Sequence, residues 1–248
     1  MTSVERVAVV GTGLIGTSIA MAAVRAGETV RGFDSDPESL ARAAERSGFT
    51  PSSLEGCVAG ATVVFVCTPI PALSGLVAEV LGLAPDAIVT DVGSVKSQVM
   101  ADVAARADPS HLERYIGGHP MGGSERSGPD HASASILDGA VWVLCPSDPV
   151  PAASVDRLSA WVDKVGARPT PMDAERHDRL VAMVSHLPQV ASTALMGLAA
   201  AEEAGEPEIL LLAAGGFRDL TRLAASRPHR WSDVRGENGD ALVRVGGR

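Results

Sequence analysis

Apolar residues fall in short runs through the first two thirds of the chain and in a helical rhythm afterwards. Val4–Val10, Thr29–Phe33, Ala61–Pro69, Ala87–Ser94 and Ala140–Pro146 are compact apolar stretches bounded by glycine, proline or polar residues, which predicts buried strands. Between them, Leu14–Ala26, Pro37–Ser47, Ala72–Leu81, Val95–Ala107 and Ala152–Val165 have helical content, and ARPTPMD predicts a last short strand. Strands alternating with helices predict an α/β fold with a doubly wound, mostly parallel sheet. Tyr115–Glu125, YIGGHPMGGSE, holds four glycines, one histidine and one proline, a density that predicts a turn rather than a regular element.

The pattern changes near Met172. Leu180, Val184 and Leu187 recur at i, i+4 and i+7 in a long helical stretch, which Gly205 and Pro207 end. PEILLLAAGGFRDLTRLAAS predicts further helices around a break at Gly215-Gly216. The expected organisation is an α/β domain over 1–171 and an all-helical domain over 172–248.

Composition narrows the partners. The 248 residues carry a formal net charge of −9, which disfavours nucleic acid and anionic membrane surfaces because both need a basic face. Aromatics make up only 3%, so aliphatic and alanine packing must dominate the core. Cys57, Cys67 and Cys145 form no C-x-x-C pair, so neither a disulfide framework nor a zinc site is expected, and a reducing cytoplasm is the default location. MTSVERVAVVG predicts a strand rather than a signal peptide, and no uninterrupted apolar run approaches the ~18–20 residues of a membrane span.

VAVVGTGLIG supplies the first chemistry. Gly11, Gly13 and Gly16 form G-x-G-x-x-G directly after a predicted strand and at the opening of a predicted helix. The first glycine permits the tight turn, the second lets backbone approach a pyrophosphate, and the third lets helix pack on strand. With Leu14 and Ile15 they form a candidate dinucleotide loop, and the sheet is of Rossmann type. Asp34 ends the second strand, where a carboxylate suits a ribose 2′-hydroxyl and repels a 2′-phosphate, so NAD is favoured over NADP; Arg31 nearby would soften that choice. Thr68 in CTPIP, and Ser94 and Lys96 in DVGSVK, lie at predicted strand ends and are candidates for cofactor or substrate contacts, with turn chemistry and helix capping as alternatives. No metal-ligand spacing occurs.

His186 lies two residues before Pro188, which would leave the Val184 carbonyl without its helical partner and kink the axis. That location suits a cleft, although a core histidine satisfied by backbone fits the periodicity as well. Arg218 and Arg222 are four apart, beside Asp219, either as a carboxylate clamp or as solvated surface charge. His111, His131, His177 and His229 stand in polar surroundings and are expected at the surface.

VGTGLIGTSIA, DVGSVK, GGHPMGGSE, SHLPQ, GGFRDLTRLA and the Arg230-Trp231 pair occur in this order. Together they resemble the prephenate/arogenate dehydrogenase family of tyrosine biosynthesis, over about Val7 to Trp231. The resemblance implies NAD(P)-dependent oxidative decarboxylation of a cyclohexadienyl acid, prephenate or arogenate, by a homodimer formed through the helical domain. It implies His119 as the group that accepts the proton of the ring hydroxyl and Ser94 as the serine that orients it. It places His186 in the substrate pocket and Arg222 on a substrate carboxylate. Gln189 stands where family members often carry a second histidine, and it and Asp219 are implied on the substrate side chain. The alternatives are another dehydrogenase of the same fold, such as one acting on β-hydroxyacids, and a non-catalytic NAD-binding sensor; GGHPM counts against the first, and the retention of His119, Ser94, His186 and Arg222 against the second.

Overall fold

The structure is a computed structural model describing residues 5–122, 126–203 and 205–225. Gly123–Glu125 of the glycine-histidine stretch lie outside the described residues, as do Val4, His229, Arg230 and Trp231. The chain divides into two compact units, Met1–His177 and Asp178–Arg248.

In the first unit, β1 (Arg6–Val10), β2 (Thr29–Phe33), β3 (Thr50–Pro51), β4 (Val63–Val66), β5 (Ile88–Asp91), β6 (Tyr115–Pro120), β7 (Val141–Cys145) and β8 (Arg168–Pro171) form one sheet. Its order is β3-β2-β1-β4-β5-β6-β7-β8. All neighbours are parallel except β6 and β7. The helices are α1 (Leu14–Arg25), α2 (Pro37–Ser47), α3 (Leu54–Val58), α4 (Ile70–Leu83), α5 (Ser97–Arg106) and α6 (Ala152–Lys164). The reversal of strand order between β1 and β4 is the switch point where sheets of this type bind dinucleotides, beyond the carboxyl ends of the strands.

The central strands are apolar on both faces, as burial on both sides demands: Val7–Val10 and Val63–Val66 are almost wholly removed from water. Each such valine or phenylalanine side chain contributes ~1.5–3 kcal/mol of burial. Three of the scarce aromatics meet in this core, with the Phe65 ring centroid 4.5 Å from Trp161 and 5.8 Å from Trp142.

One sequence expectation is overturned. Tyr115–Pro120 is not a turn but β6, buried between β5 and β7. Its glycines serve close packing rather than turning. A Cβ on Gly118 would stand 2.4 Å from the Asp91 carbonyl oxygen and 2.6 Å from Thr90 Oγ1.

The second unit is helical among its described residues. α7 (Ala174–Val181), which begins in the first unit, runs through a π-helical turn, Ala182–His186, into α8 (Leu187–Glu202), and α9 (Gly215–Thr221) follows. The π turn falls where Pro188 removes a backbone donor, and a widened turn is a usual way to absorb such a break. The continuous helix Ala174–Glu202 is long and apolar enough to cross a membrane by length and composition, with mean hydropathy 1.2 over its most apolar 18 residues. Its apolar positions, however, are interrupted by Ser185, His186, Gln189, Ser192 and Thr193, and five of the helix's polar residues, His177, Asp178, His186, Gln189 and Ser192, are buried.

Candidate active site

The glycine loop comes first. Gly11 has φ +96° and donates its N–H to the Phe33 carbonyl at 2.8 Å, tying the loop to the end of β2. A Cβ there would lie 2.7 Å from the Cys67 carbonyl oxygen, and one on Gly16 only 1.9 Å from the Gly11 carbonyl oxygen. Gly13 is different: nothing lies within 4 Å of where its Cβ would be. It is the N-cap of α1, with no side-chain cap and no acidic residue in the first turn, so Leu14, Ile15 and their neighbours leave helix N–H groups for an anion. Asp34 braces the loop, its Oδ2 accepting from Thr12 N at 2.6 Å and Thr12 Oγ1 at 3.0 Å. Arg31 is directed elsewhere, donating to the Gly56 and Ala59 carbonyls at 3.0 and 3.1 Å.

The ends of β4 and β5 lie on the same edge of the sheet. Thr68 Oγ1 is buried with no hydrogen-bond partner among the described residues. A buried hydroxyl without a partner is costly, and a bound cofactor is one way to satisfy it. The open space at Gly13, the uncapped α1 terminus and this hydroxyl fit a dinucleotide. Burial, followed by the Asp91 carboxylate, pushes the neighbouring Cys67 thiol far above the ordinary range, so it is no nucleophile. Burial likewise raises the Cys57 thiol to about 12.

DVGSVK has a structural meaning that its sequence did not disclose. Asp91 and Lys96 are both fully buried and form an ion pair. Asp91 Oδ2 also accepts from Gly93 N at 2.8 Å, while Oδ1 accepts from Tyr115 Oη at 2.8 Å and Gly118 N at 3.2 Å. Lys96 Nζ donates to the Gly118 carbonyl at 2.8 Å. The pair thus grips both backbone polar groups of the residue before His119. Lys96, a candidate ligand contact by sequence, is spent on this clamp. Burial first, and then the Asp91 carboxylate, push the Tyr115 phenol well above its ordinary pKa and keep it a donor.

His119 is half-buried near the end of β6. Its Nδ1 lies 2.8 Å from Nε2 of His177, with the ring centroids 5.1 Å apart and the planes at 74°. His177 is 1% exposed, which corrects the expectation that it is a surface residue. Its surroundings in sequence are polar, and only the tertiary contact with His119 reveals that the side chain is buried. Ser94 is half-buried beside this motif, but its hydroxyl makes no hydrogen bond among the described residues, so the contact on His119 Nδ1 comes from His177.

In the second unit, His186 is buried at the end of the π turn. Gln189 is buried as well, and its amide donates to the Leu223 carbonyl at 2.9 Å and Thr193 Oγ1 at 3.3 Å. Ser192 Oγ accepts from Ala224 N at 3.0 Å, which holds the segment after α9 against α8. Asp219 lies near the end of α9 and Arg222 just after it; both are exposed. No group of three potential metal ligands occurs among the described residues.

Comparison with known proteins decides the family. The model described as "Prephenate dehydrogenase, nucleotide-binding domain" matches residues 19–170, and "Prephenate dehydrogenase, dimerization domain" matches residues 173–245. The chain belongs to the prephenate dehydrogenase family. The cyclohexadienyl dehydrogenase of Zymomonas mobilis is 34% identical over 99% of this chain and 85% of its own length. The crystal structure of prephenate dehydrogenase from A. aeolicus, in complex with hydroxyphenyl propionate and NAD+, superposes with a TM-score of 0.90 at 27% identity, over 99% of this chain and 87% of that one. Synechocystis arogenate dehydrogenase gives a TM-score of 0.83 at 29% identity, over 98% and 87%.

Proposed function

We propose that this chain is an NAD-dependent prephenate dehydrogenase, converting prephenate to 4-hydroxyphenylpyruvate with loss of CO2 in tyrosine biosynthesis. The observation that carries the reading is the match of both family domains, in order, across 19–170 and 173–245. Similarity to an arogenate dehydrogenase and a cyclohexadienyl dehydrogenase favours arogenate as the second substrate to test.

Gly11, Gly13, Leu14, Ile15 and Gly16 would hold the pyrophosphate, Thr68 would contribute its hydroxyl, and Asp34, whose Oδ1 also accepts from Asp36 N at 2.9 Å, would receive a ribose hydroxyl. NAD, when bound, supplies the hydride acceptor. His119 takes the proton of the ring hydroxyl as the ring carbon is oxidised; a positioned base of this kind contributes about 10²–10⁴-fold. The ring carboxylate leaves as CO2 and its bonding electrons make the ring aromatic. The phenol oxygen then regains a proton, so His119 lends a proton site and consumes nothing. Ser94 contacts the cofactor or hydroxyl rather than bracing His119 at Nδ1. His186 and Gln189 line the substrate side, and Arg222, with Asp219, meets a substrate carboxylate.

The partner is a second copy of this chain. Leu180, Met183, Val184, Leu198 and Leu220 are exposed large apolar residues in the segment matched by the dimerization domain, and a homodimer covers them. That use of the apolar face accounts for the helix Ala174–Glu202 without a membrane, and a cytoplasmic enzyme is the matching location.

The test is to follow reduced nicotinamide on mixing the protein with NAD and prephenate, and separately with arogenate. Turnover of neither by folded protein would refute the reading. His119→Asn is expected to keep NAD affinity while lowering kcat by about 10²–10⁴-fold; wild-type kcat in that variant would remove His119 from the role of base.

A further inference from the structure

The His119–His177 contact goes beyond the reading above and rests on His119 as its base. A neutral imidazole carries one N–H and one lone pair. Two ring nitrogens 2.8 Å apart must therefore share a single hydrogen between them, since two hydrogens would collide and two lone pairs would repel. The contact thus couples the tautomers of both rings. If His119 is to take a proton at Nε2, its hydrogen must sit on Nδ1 and point at His177 Nε2. The hydrogen of His177 must then sit on its own Nδ1. The opposite arrangement places the hydrogen of His119 on Nε2 and leaves it no lone pair for the ring hydroxyl.

Local structure holds His177 where this requires. Asp173 Oδ1 accepts from Arg176 N at 2.7 Å, and His177 N donates to the Asp173 carbonyl at 3.0 Å, so the first turn of α7 is fixed at both bonds. On the other side, the Asp91–Lys96 clamp fixes the backbone entering His119. Both rings are thereby carried on braced backbone rather than on loops.

We infer that His177 is a positioning residue that sets the ring orientation and the Nδ1–H tautomer of His119. A neutral imidazole in this place has a physical advantage over the more usual carboxylate. The substrate carries two carboxylates, and a third negative charge behind the base would oppose its binding, whereas an imidazole lone pair orients the base without adding charge.

Two measurements on the full chain test this, one of them independent of activity. With only six histidines in the sequence, long-range ¹⁵N–¹H correlation of the imidazoles, assigned with His119→Asn, reports the tautomer of His119. The wild type is expected to show Nδ1–H, and His177→Leu a shift toward Nε2–H. A wild-type Nε2–H form, or an unchanged tautomer in the variant, overturns the inference whether or not the protein turns over prephenate. In kinetics, His177→Leu should lower kcat by about 10–100-fold, within the span of one positioned base, with the KM for NAD unchanged. His177→Gln, whose Oε1 reaches where Nε2 stood, should recover most of that loss, and His177→Asn, too short to reach, should not. In a His119→Asn background, His177→Leu should change kcat by less than about 3-fold, because residues acting as a unit are not additive. Equal losses in both backgrounds, or equal rates for the Gln and Asn variants, show a merely structural role. Should His177→Leu fail to fold, the Gln and Asn pair decides alone. Absence of wild-type turnover counts against the proposed function, and a silent His119→Asn against the base; the tautomer still judges His177.

Discussion

In the nucleotide-binding unit most inward positions are apolar and the buried charges are ion-paired: Val7–Val10 and Val63–Val66 fill the sheet, while Asp91 and Lys96 neutralise each other inside it. In the helix Ala174–Glu202 the pattern is mixed. Asp178, His186, Gln189 and Ser192 are buried, whereas Val184 and Leu198 are 67% and 68% exposed. A segment that buries polar groups and exposes aliphatic ones leaves apolar surface that a second copy would cover in the proposed homodimer. The Leu180, Val184, Leu187 periodicity is real, but its first two members face outward, so the helical rhythm does not mark a core within a single chain.

The contrast can be broken in graded ways. The largest effect is expected at the clamp. Lys96→Met leaves a fully buried carboxylate without its cation, and loss of one partner of such a pair costs about 3–5 kcal/mol. Urea unfolding should show it as a lowered midpoint, and a loss under ~1 kcal/mol, the scale of a surface pair, would mean that the unit does not depend on this pair. On the helical side, Val184→Glu with Leu198→Glu replaces two exposed aliphatic side chains, each worth about 1.5–3 kcal/mol when buried by a partner. Sedimentation velocity should find a monomer with unaltered helix content; a persistent dimer would move the interface elsewhere.

A smaller effect belongs to the glycine loop. Asp34→Ser removes the carboxylate but keeps a hydroxyl, and the ratio of kcat/KM for NAD over NADP should fall about tenfold, equivalent to ~1.4 kcal/mol. An unchanged ratio would place cofactor selection at another residue. Smallest is the rim of the sheet, where Arg157 Nη2 lies 2.6 Å from Glu5 Oε2. Burial alone would raise the Glu5 carboxyl, but the Arg157 guanidinium and the Thr62 hydroxyl outweigh it and hold the carboxyl below its ordinary pKa. A folded-state pKa below the unfolded one stabilises the fold above the unfolded value, and the contribution is lost as pH falls through the folded value. Arg157→Met should therefore cost stability at neutral pH, by less than ~1 kcal/mol because the arginine side chain is 41% exposed, and cost nothing in strong acid. A penalty that persists below pH ~2, beneath a lowered carboxylate pKa, would show that lost packing rather than charge is responsible.

Much of the fold and part of the site were legible in the chain. The strand runs, the α/β-then-helical order and G-x-G-x-x-G with Asp34 follow from local physics: apolar periodicity, the need for glycine at a tight turn, and the placement of a carboxylate after a strand. The stretch YIGGHP misled because glycine density signals turning only when the backbone conformation demands it. At Gly117 and Gly118 the demand comes from Met100, Thr90 and Asp91 crowding the strand from elsewhere in the sequence. Lys96 presented itself as a ligand contact for a similar reason: a lysine in a motif carries no local sign that its charge will be cancelled in the core.

By itself, then, the sequence determined the elements of the sheet, the candidate dinucleotide loop, the acidic balance and, through its ordered motifs, the family. Those properties depend on residues near one another along the chain. Only the tertiary structure decided that Asp91 and Lys96 grip Gly118, and that His177, 58 positions beyond His119, is the ring behind it. It also decided which stripe of the long helix faces water. Each is a relation between distant segments, fixed when strands pair and helices dock, and composition and spacing carry no measure of those distances.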